Sequence, residues 1–238
     1  MYRDKKILAI IPARSGSKGL KDKNIKELNG KPMIAYTLEA SIKSGIFDDI
    51  IVSTDSHEYA DIARSYGASV PFLRPDYLST DIATTNDVVE YTILELKKLK
   101  KEFDYFMILQ PTSPLRVSDD IMGAANLLFE KEADSIVSVC ESEHSPLYMN
   151  TLDETLSLNE FLANNIKTRR QELPKYYRLN GAIYICKTDY FLEHKYFYGK
   201  NSYAYIMDKK RSIDIDDELD FKIAEILLIN GGNFNEIL

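Results

Sequence analysis

The sequence predicts an α/β fold with a largely parallel sheet covered on both faces. Residues 7–11 form a run of five apolar side chains, I-L-A-I-I, with the length and content of a strand buried on both sides, and Pro12 ends it. Strand-like segments then alternate with helical patterns of about a dozen residues, the order that builds parallel sheets. At 238 residues, 45% hydrophobic and 28% charged, the chain is long enough to bury a sizeable core as one domain, 1–238.

The elements follow in order. Asn29-Gly30 marks a turn, and Pro32 opens a helix in which Ile34, Leu38 and Ile42 share one face before Gly45 stops it. D-D-I-I-V-S-T-D reads as the second strand, and residues 58–66 as a second helix with Gly67 at its end. Residues 69–73 allow a short strand, which Pro71 confines to an edge. A polar loop over 74–84 leads to a long amphipathic helix over 85–101, with Val88, Thr92, Leu96 and Leu99 on one side. Another buried strand, 104–109, runs into Q-P-T-S-P-L-R, where two prolines fix a loop expected to present Gln110, Thr112, Ser113 and Arg116 at the strand's carboxyl end. A helix over 119–131 and a strand over 135–140 come next.

From 141 to 178 the alternation stops. Long structureless loops are uncommon in compact domains, so this stretch is expected to be an insertion lobe that packs on a partner subunit. The pattern resumes with a strand in G-A-I-Y-I-C, a short helix over 189–193, a strand over 203–207 and a closing helix over 219–230. No internal repeat and no low-complexity segment interrupts it.

Chemistry concentrates in two places. The first is the loop after the opening strand, which carries Arg14, Lys18, Lys21 and Lys23 with Gly16 and Gly19 between them. Glycines let a backbone approach a ligand closely, and N–H, guanidinium and ammonium donors together make a cradle for a polyphosphate. The loop matches neither G-x-x-x-x-G-K-[ST] nor G-x-G-x-x-G, so the two commonest nucleotide motifs are excluded. A solvated βα loop is the alternative; its place at a strand's carboxyl end favours the phosphate reading. The second place is S-I-D-I-D-D-E-L-D. If 212–216 is extended, Asp214 and Asp216 fall on the same side and can share a hard cation, while Asp217 and Glu218 suit the start of the closing helix.

Other classes are argued against. A net charge of −7 opposes nucleic acid as the main partner. No stretch approaches a membrane span or a signal peptide, and the expected home is the cytoplasm. Cys140 and Cys186 read as small buried residues without a disulfide framework. His57, His144 and His194 are too scattered for a metal set or a triad, and most of the 16 tyrosines suit core or interface positions.

The motifs I-P-A-R-S-G-S-K-G-L-K-D-K-N, I-I-V-S-T-D, L-R-P-D-Y-L-S-T-D, L-Q-P-T-S-P-L-R, R-L-N-G-A-I-Y-I and S-I-D-I-D-D-E-L-D occur in this order over nearly the whole chain. Together they resemble the cytidylyltransferases that activate nine-carbon 2-keto sugar acids, and most of all the bacterial CMP-sialic acid synthetases (acylneuraminate cytidylyltransferases). The resemblance implies a Rossmann-like three-layer sandwich with a small dimerisation insertion at 141–178, acting as a homodimer. It implies that CTP and a sialic-type acid give the CMP-sugar and pyrophosphate, with Mg²⁺ or Mn²⁺ as cofactor. By family likeness Arg14 and Lys23 hold the triphosphate, with Ser15, Gly16 and Lys18 in the same loop, and Asn24, Arg74 and Thr85 contact the cytidine or its ribose. Gln110, Arg170, Asn180, Tyr184 and Phe197 face the sugar acid, and Asp214 and Asp216 carry the metal. Arg14, Lys23, Gln110, Asp214 and Asp216 form the implied catalytic set.

One position departs from that pattern. After H-x-P-L the better-known sialic acid enzymes resemble one another in having a lysine, and this chain has Tyr148. Legionaminic and pseudaminic acids therefore stand beside sialic acid as candidate substrates. A CMP-Kdo synthetase type and a non-catalytic nucleotide-sugar sensor are the rival readings; an intact Arg14, Lys23, Asp214 and Asp216 argues against the sensor.

Overall fold

The structure is a computed structural model, and it describes residues 1–16, 19–159, 161–162 and 173–229. In chain order the strands are β1 (Ile7–Pro12), β2 (Glu27–Leu28), β3 (Lys31–Pro32), β4 (Asp49–Ser53), β5 (Tyr105–Leu109), β6 (Ser135–Glu141), β7 (Tyr177–Lys187) and β8 (Ser202–Ile206). The helices are α1 (Met33–Ser44), α2 (His57–Ser65), α3 (Thr85–Lys98), α4 (Ser118–Glu130), α5 (Thr188–His194) and α6 (Glu218–Ile229). Six strands make one sheet in the order β4-β1-β5-β7-β6-β8, and β2 pairs with β3 apart from it. β1 runs parallel to β4 and β5, and β6 parallel to β8; β7 alone runs against its neighbours.

The apolar run of β1 explains the layers. Side chains alternate across a strand, so Ala9 and Ile11 enter a core with α1, α2 and α4, while Leu8 and Ile10 enter one with α3 and α5. All five residues of the run are buried because both faces are covered. A third cluster joins Leu28 and Met33 to Ile215, Phe221 and Ala224, fixing α6 beside the β2–β3 hairpin. The expected three-layer sandwich with a mostly parallel sheet is what the chain forms. No described helix is long and apolar enough to cross a membrane.

Several local expectations need correction. Ile34 and Leu38 are buried on α1, but Ile42 is 48% exposed because the buried face continues through Thr37, Ser41 and Ser44 and leaves Ile42 at its margin. α3 ends at Lys98, and Leu99 behind it is exposed. The segment 69–73 reduces to one isolated bridge between Ile51 and Ser69, in keeping with Pro71. The strand expected around G-A-I-Y-I-C is longer, beginning at Tyr177, so β6 and β7 form an antiparallel pair that brackets the 142–176 connection. Within that connection the described part holds a short 3-10 turn at Pro146–Tyr148. Cys140 and Cys186 are buried free thiols.

Candidate active site

Three adjacent parallel strands, β4, β1 and β5, point their carboxyl ends to the same edge, and the loops leaving β1 and β5, with the 74–85 segment that leads into α3, build a cleft there. The cleft has a volume of about 480 Å³, and its walls include Arg14, Lys23, Asn24, Arg74, Thr85, Gln110 and Asp216. A smaller cleft of about 180 Å³ adjoins it across Thr85 and Gln110 and is walled by Tyr184, Tyr196, Phe197 and Tyr198. β7 contributes to this edge because it runs backwards: its register sets Ile183 beside Leu109 and Tyr184 beside Ile108, so its early residues meet the end of β5.

Each cation is held by a specific local contact. Arg14 donates to Asp81 Oδ1 at 2.7 Å and to the Ser79 carbonyl at 3.3 Å. Lys23 leaves a 3-10 turn (Lys23–Ile25) and donates to the Ile215 carbonyl at 2.7 Å and Asp216 Oδ1 at 3.0 Å. The buried Asn24 amide donates to the Arg14 carbonyl at 3.1 Å and so fixes the backbone that carries Arg14. Arg74 is 5% exposed, and its Nε and Nη2 have no hydrogen-bond partner among the described residues. Burial pulls its guanidinium below the usual arginine range. A buried donor pair without an acceptor is costly, which makes this wall receptive to an anion.

The acidic segment approaches the loop from the other side. A Cβ at Gly19 would stand 2.5 Å from the Asp216 carbonyl oxygen, so this glycine, which also lines the cleft, serves a contact between two protein segments. Asp216 is exposed and Asp214 half-buried, and residues 212–216 lie outside the sheet. Asp214 Oδ1 is buried without a hydrogen-bond partner among the described residues. Burial raises its carboxyl above the ordinary range, the Asp216 charge adds to this, and a hydrogen bond from Thr112 with the charges of Lys23 and Arg178 opposes it. Burial, with Tyr198 and Asp214 nearby, pushes the Tyr184 phenol up to about 12, so that it stays protonated.

Not every residue singled out by sequence reaches the clefts. Ser15 turns to Asp55, and Gly16 takes a φ of +70° in the loop between Ser15 and the wall formed by Gly19. Asn180 is 1% exposed and lies behind the cleft, with its amide shared among Ser138, Ser212 and Met207. Lys18 and Arg170 lie outside the described residues. In the Q-P-T-S-P-L-R loop only Gln110, Pro111 and Thr112 face the main cleft. Ser113 and Arg116, expected to be presented there, point inward: Arg116 is 2% exposed and donates to the carbonyls of Gln110 and Ala182 and to Thr37 Oγ1. A guanidinium beside three acceptors braces the loop from beneath, and burial lowers it to about 9.

Two contributors were missed. Asp55 ends I-I-V-S-T-D one strand away from Arg14, and its place at a carboxyl end was the available signal. Gly181 takes a φ of +72°, and a Cβ there would stand 2.8 Å from Gln110 Oε1 and 3.2 Å from Asp214 Oδ2. Its signal was the lone glycine at the head of a strand pattern.

Comparison with known proteins bears on the family and the fold. A family model described as cytidylyltransferase matches residues 8–231. The chain is 42% identical over 220 residues to the N-acylneuraminate cytidylyltransferase of Escherichia coli, covering 92% of this chain and 51% of that one, so it spans about half the length of that relative. It is 38% identical to the CMP-N,N'-diacetyllegionaminic acid synthase of Legionella pneumophila, covering 94% of this chain and 96% of that one. A solved CMP:2-keto-3-deoxy-manno-octonic acid synthetase superimposes with a TM-score of 0.70 at 15% identity, covering 95% of this chain and 99% of that one, a likeness of fold. The motif resemblance, the relatives and the sheet order converge, and the chain belongs to the cytidylyltransferase family.

Proposed function

We propose that this protein transfers CMP from CTP to a nine-carbon 2-keto sugar acid of the N-acylneuraminate type, releasing pyrophosphate. The observation that carries the reading is one cleft that gathers Arg14, Lys23 and the buried guanidinium of Arg74, whose Nε and Nη2 make no hydrogen bond among the described residues, against Asp216 and Gln110. Three cations converging inside an acidic protein suit a triphosphate, and the adjoining aromatic cleft of Tyr184, Tyr196, Phe197 and Tyr198 suits the apolar faces and acyl groups of a sugar acid.

In this reading the anomeric hydroxyl attacks the α-phosphorus, a new P–O bond forms, the bond to pyrophosphate breaks, and the hydroxyl proton leaves to solvent. Arg14, Arg74 and Lys23 meet the charge that builds on the phosphate oxygens. Asn24 holds the Arg14 backbone, and Arg116 holds the Gln110 carbonyl, so donors are oriented before substrate arrives. No protein nucleophile is required, because catalysis by position and charge suffices for this class of transfer.

Asp214 and Asp216 would hold Mg²⁺ or Mn²⁺. The fit rests on the partnerless buried Oδ1 of Asp214 and on the absence of a side chain at Gly181 beside Oδ2. Carboxylate oxygens suit such hard cations, which supply Lewis-acid neutralisation of phosphate oxygens when bound. The protein is read as a homodimer joined through the 141–178 lobe. Support comes from exposed apolar side chains at Leu147, Met149, Leu152, Leu156, Leu158 and Leu162, which a partner would cover. Legionaminic and pseudaminic acids are the alternative substrates, since Tyr148 replaces the lysine of the better-known sialic acid enzymes and a 38% identical relative is a legionaminic acid synthase. Incubation with CTP, Mg²⁺ and each of the three acids, reading pyrophosphate release, tests the choice; no release with any of them would overturn the proposal.

A further inference from the structure

Asp55 is an acid one strand away from a cluster of cations, and both of its oxygens are engaged. Oδ1 accepts from the Ser15 backbone N–H at 2.8 Å, and Oδ2 accepts from the Ser15 hydroxyl at 2.6 Å. Oδ1 also faces Arg74 Nη2 at 4.0 Å, with both side chains largely buried. The same strand end grips its surroundings through the backbone: Arg74 N–H donates to the Thr54 carbonyl at 2.7 Å, and Ala13 N–H to the Ser53 carbonyl at 2.9 Å. Burial alone would raise the Asp55 carboxyl, yet the hydrogen bonds from Ser15 and the charge of Arg74 hold it below the ordinary range. It is therefore ionised at neutral pH.

We propose that Asp55 is a positioning residue for the nucleotide. By gripping Ser15 with both oxygens and facing buried Arg74, it fixes the spacing between the Arg14 loop and Arg74, so that two guanidinium groups aim at one anion. The spacing needs such a device because like charges repel: Arg14 and Arg74 are close enough for the charge of one to lower the other's affinity for its proton. A carboxylate between the loop and Arg74 offsets that repulsion. Asp55 lines neither cleft, so it acts through Ser15 and Arg74 rather than on substrate directly.

This inference rests on the reading of the cleft as a CTP site. The test compares the full chain with Asp55→Asn and Ser15→Ala by calorimetric titration with CTP, by KM for CTP and for the sugar acid, and by thermal melting. Asp55→Asn keeps the shape but loses the charge and one acceptor role, and it is expected to weaken CTP binding about tenfold while leaving KM for the sugar acid unchanged. Ser15→Ala removes one of the two bonds and is expected to give a smaller loss in the same parameter. In an Arg74→Ala background the Asp55→Asn effect should shrink to under about threefold, as residues in one network are not additive. Unchanged or tightened CTP binding in Asp55→Asn, or a loss spread equally over both substrates, overturns the inference while wild-type binding keeps the CTP reading intact. Wild-type protein that binds no CTP overturns both. If Asp55→Asn does not fold, Ser15→Ala decides: normal CTP binding there overturns the proposal.

Discussion

Replacing Gly181 with alanine separates the strain of the fold from the geometry of the site. Gly181 has a φ of +72°, a conformation that costs an L side chain roughly 1–2 kcal/mol. The new Cβ would also stand 2.8 Å from Gln110 Oε1 and 3.2 Å from Asp214 Oδ2. Both neighbours are ends of side chains, so they can move aside without displacing the sheet. Stability is therefore expected to fall by only about 1–2 kcal/mol, or about 2–8 °C in Tm for a domain of this size. Turnover should fall far more, by about a hundredfold, because displacing catalytic groups by about 1 Å has that effect. Gly45→Ala is the control, since Gly45 has a φ of +65° at the end of α1 with nothing among the described residues within 4 Å of its Cβ position. It should show a comparable Tm shift with normal turnover. Melting curves and pyrophosphate release on all three proteins decide the matter. Near-normal turnover in Gly181→Ala would refute the placement of Gln110 and Asp214 at the reacting centre.

Further outcomes are expected. Arg14→Ala should weaken CTP binding by roughly 1.5–3 kcal/mol with only partial rescue by Arg14→Lys, while exposed Lys21→Ala stays nearly silent; a titration in which Lys21→Ala is the most damaging would contradict the loop's register. Asp214→Asn and Asp216→Asn should lower turnover by orders of magnitude and weaken Mn²⁺ binding with the melting curve preserved, and near-normal pyrophosphate release at limiting metal would remove the assignment. Asp104 accepts from the Lys6 N–H at 2.8 Å and from Lys5 at 3.2 Å, which holds its carboxyl below the usual range. A lowered folded value means stabilisation present above the unfolded value and lost as pH falls. Asp104→Asn should therefore lose about 0.5–1.5 kcal/mol at neutral pH, with the difference narrowing below about pH 4 in urea titrations; a difference that grows with acid would refute it. Light scattering should report twice the chain mass, and a fully active monomer at assay concentration would exclude assembly through the 141–178 lobe.

The outline was legible where one physical cause dominates. The five-residue run of β1 reads as a strand because both faces are buried, and Gly45 reads as a stop because it takes a left-handed φ. What failed depends on neighbours distant in sequence. Nothing local tells that β7 runs against β5, yet that reversal brings Tyr184 to the smaller cleft and Gly181 against the Gln110 side chain. The direction of Arg116 was equally hidden: a cation in a loop reads as solvent-facing, and only the three acceptors beneath it draw it inward. Ile42 obeys the helical period but sits at the margin of a face buried through small polar residues, Thr37, Ser41 and Ser44, and Leu99 follows the end of its helix. Arg14, Lys23, Gln110 and Asp216 converge as their motifs implied, whereas Asn180 supports the wall from behind. The role of Asp55 depends on Ser15 and Arg74, partners 40 and 19 positions away that only the fold brings to it.

The central claim is that CTP is cleaved at its α-phosphorus by a sugar-acid hydroxyl. Phosphorus-31 NMR of the wild-type protein with CTP, Mg²⁺ and N-acetylneuraminic, legionaminic or pseudaminic acid follows that bond directly. The account predicts that the three CTP resonances give way to one phosphodiester and one pyrophosphate signal with integrals of one to two, and only when sugar acid is present. Appearance of CDP with inorganic phosphate, or loss of CTP at the same rate without any sugar acid, would contradict it.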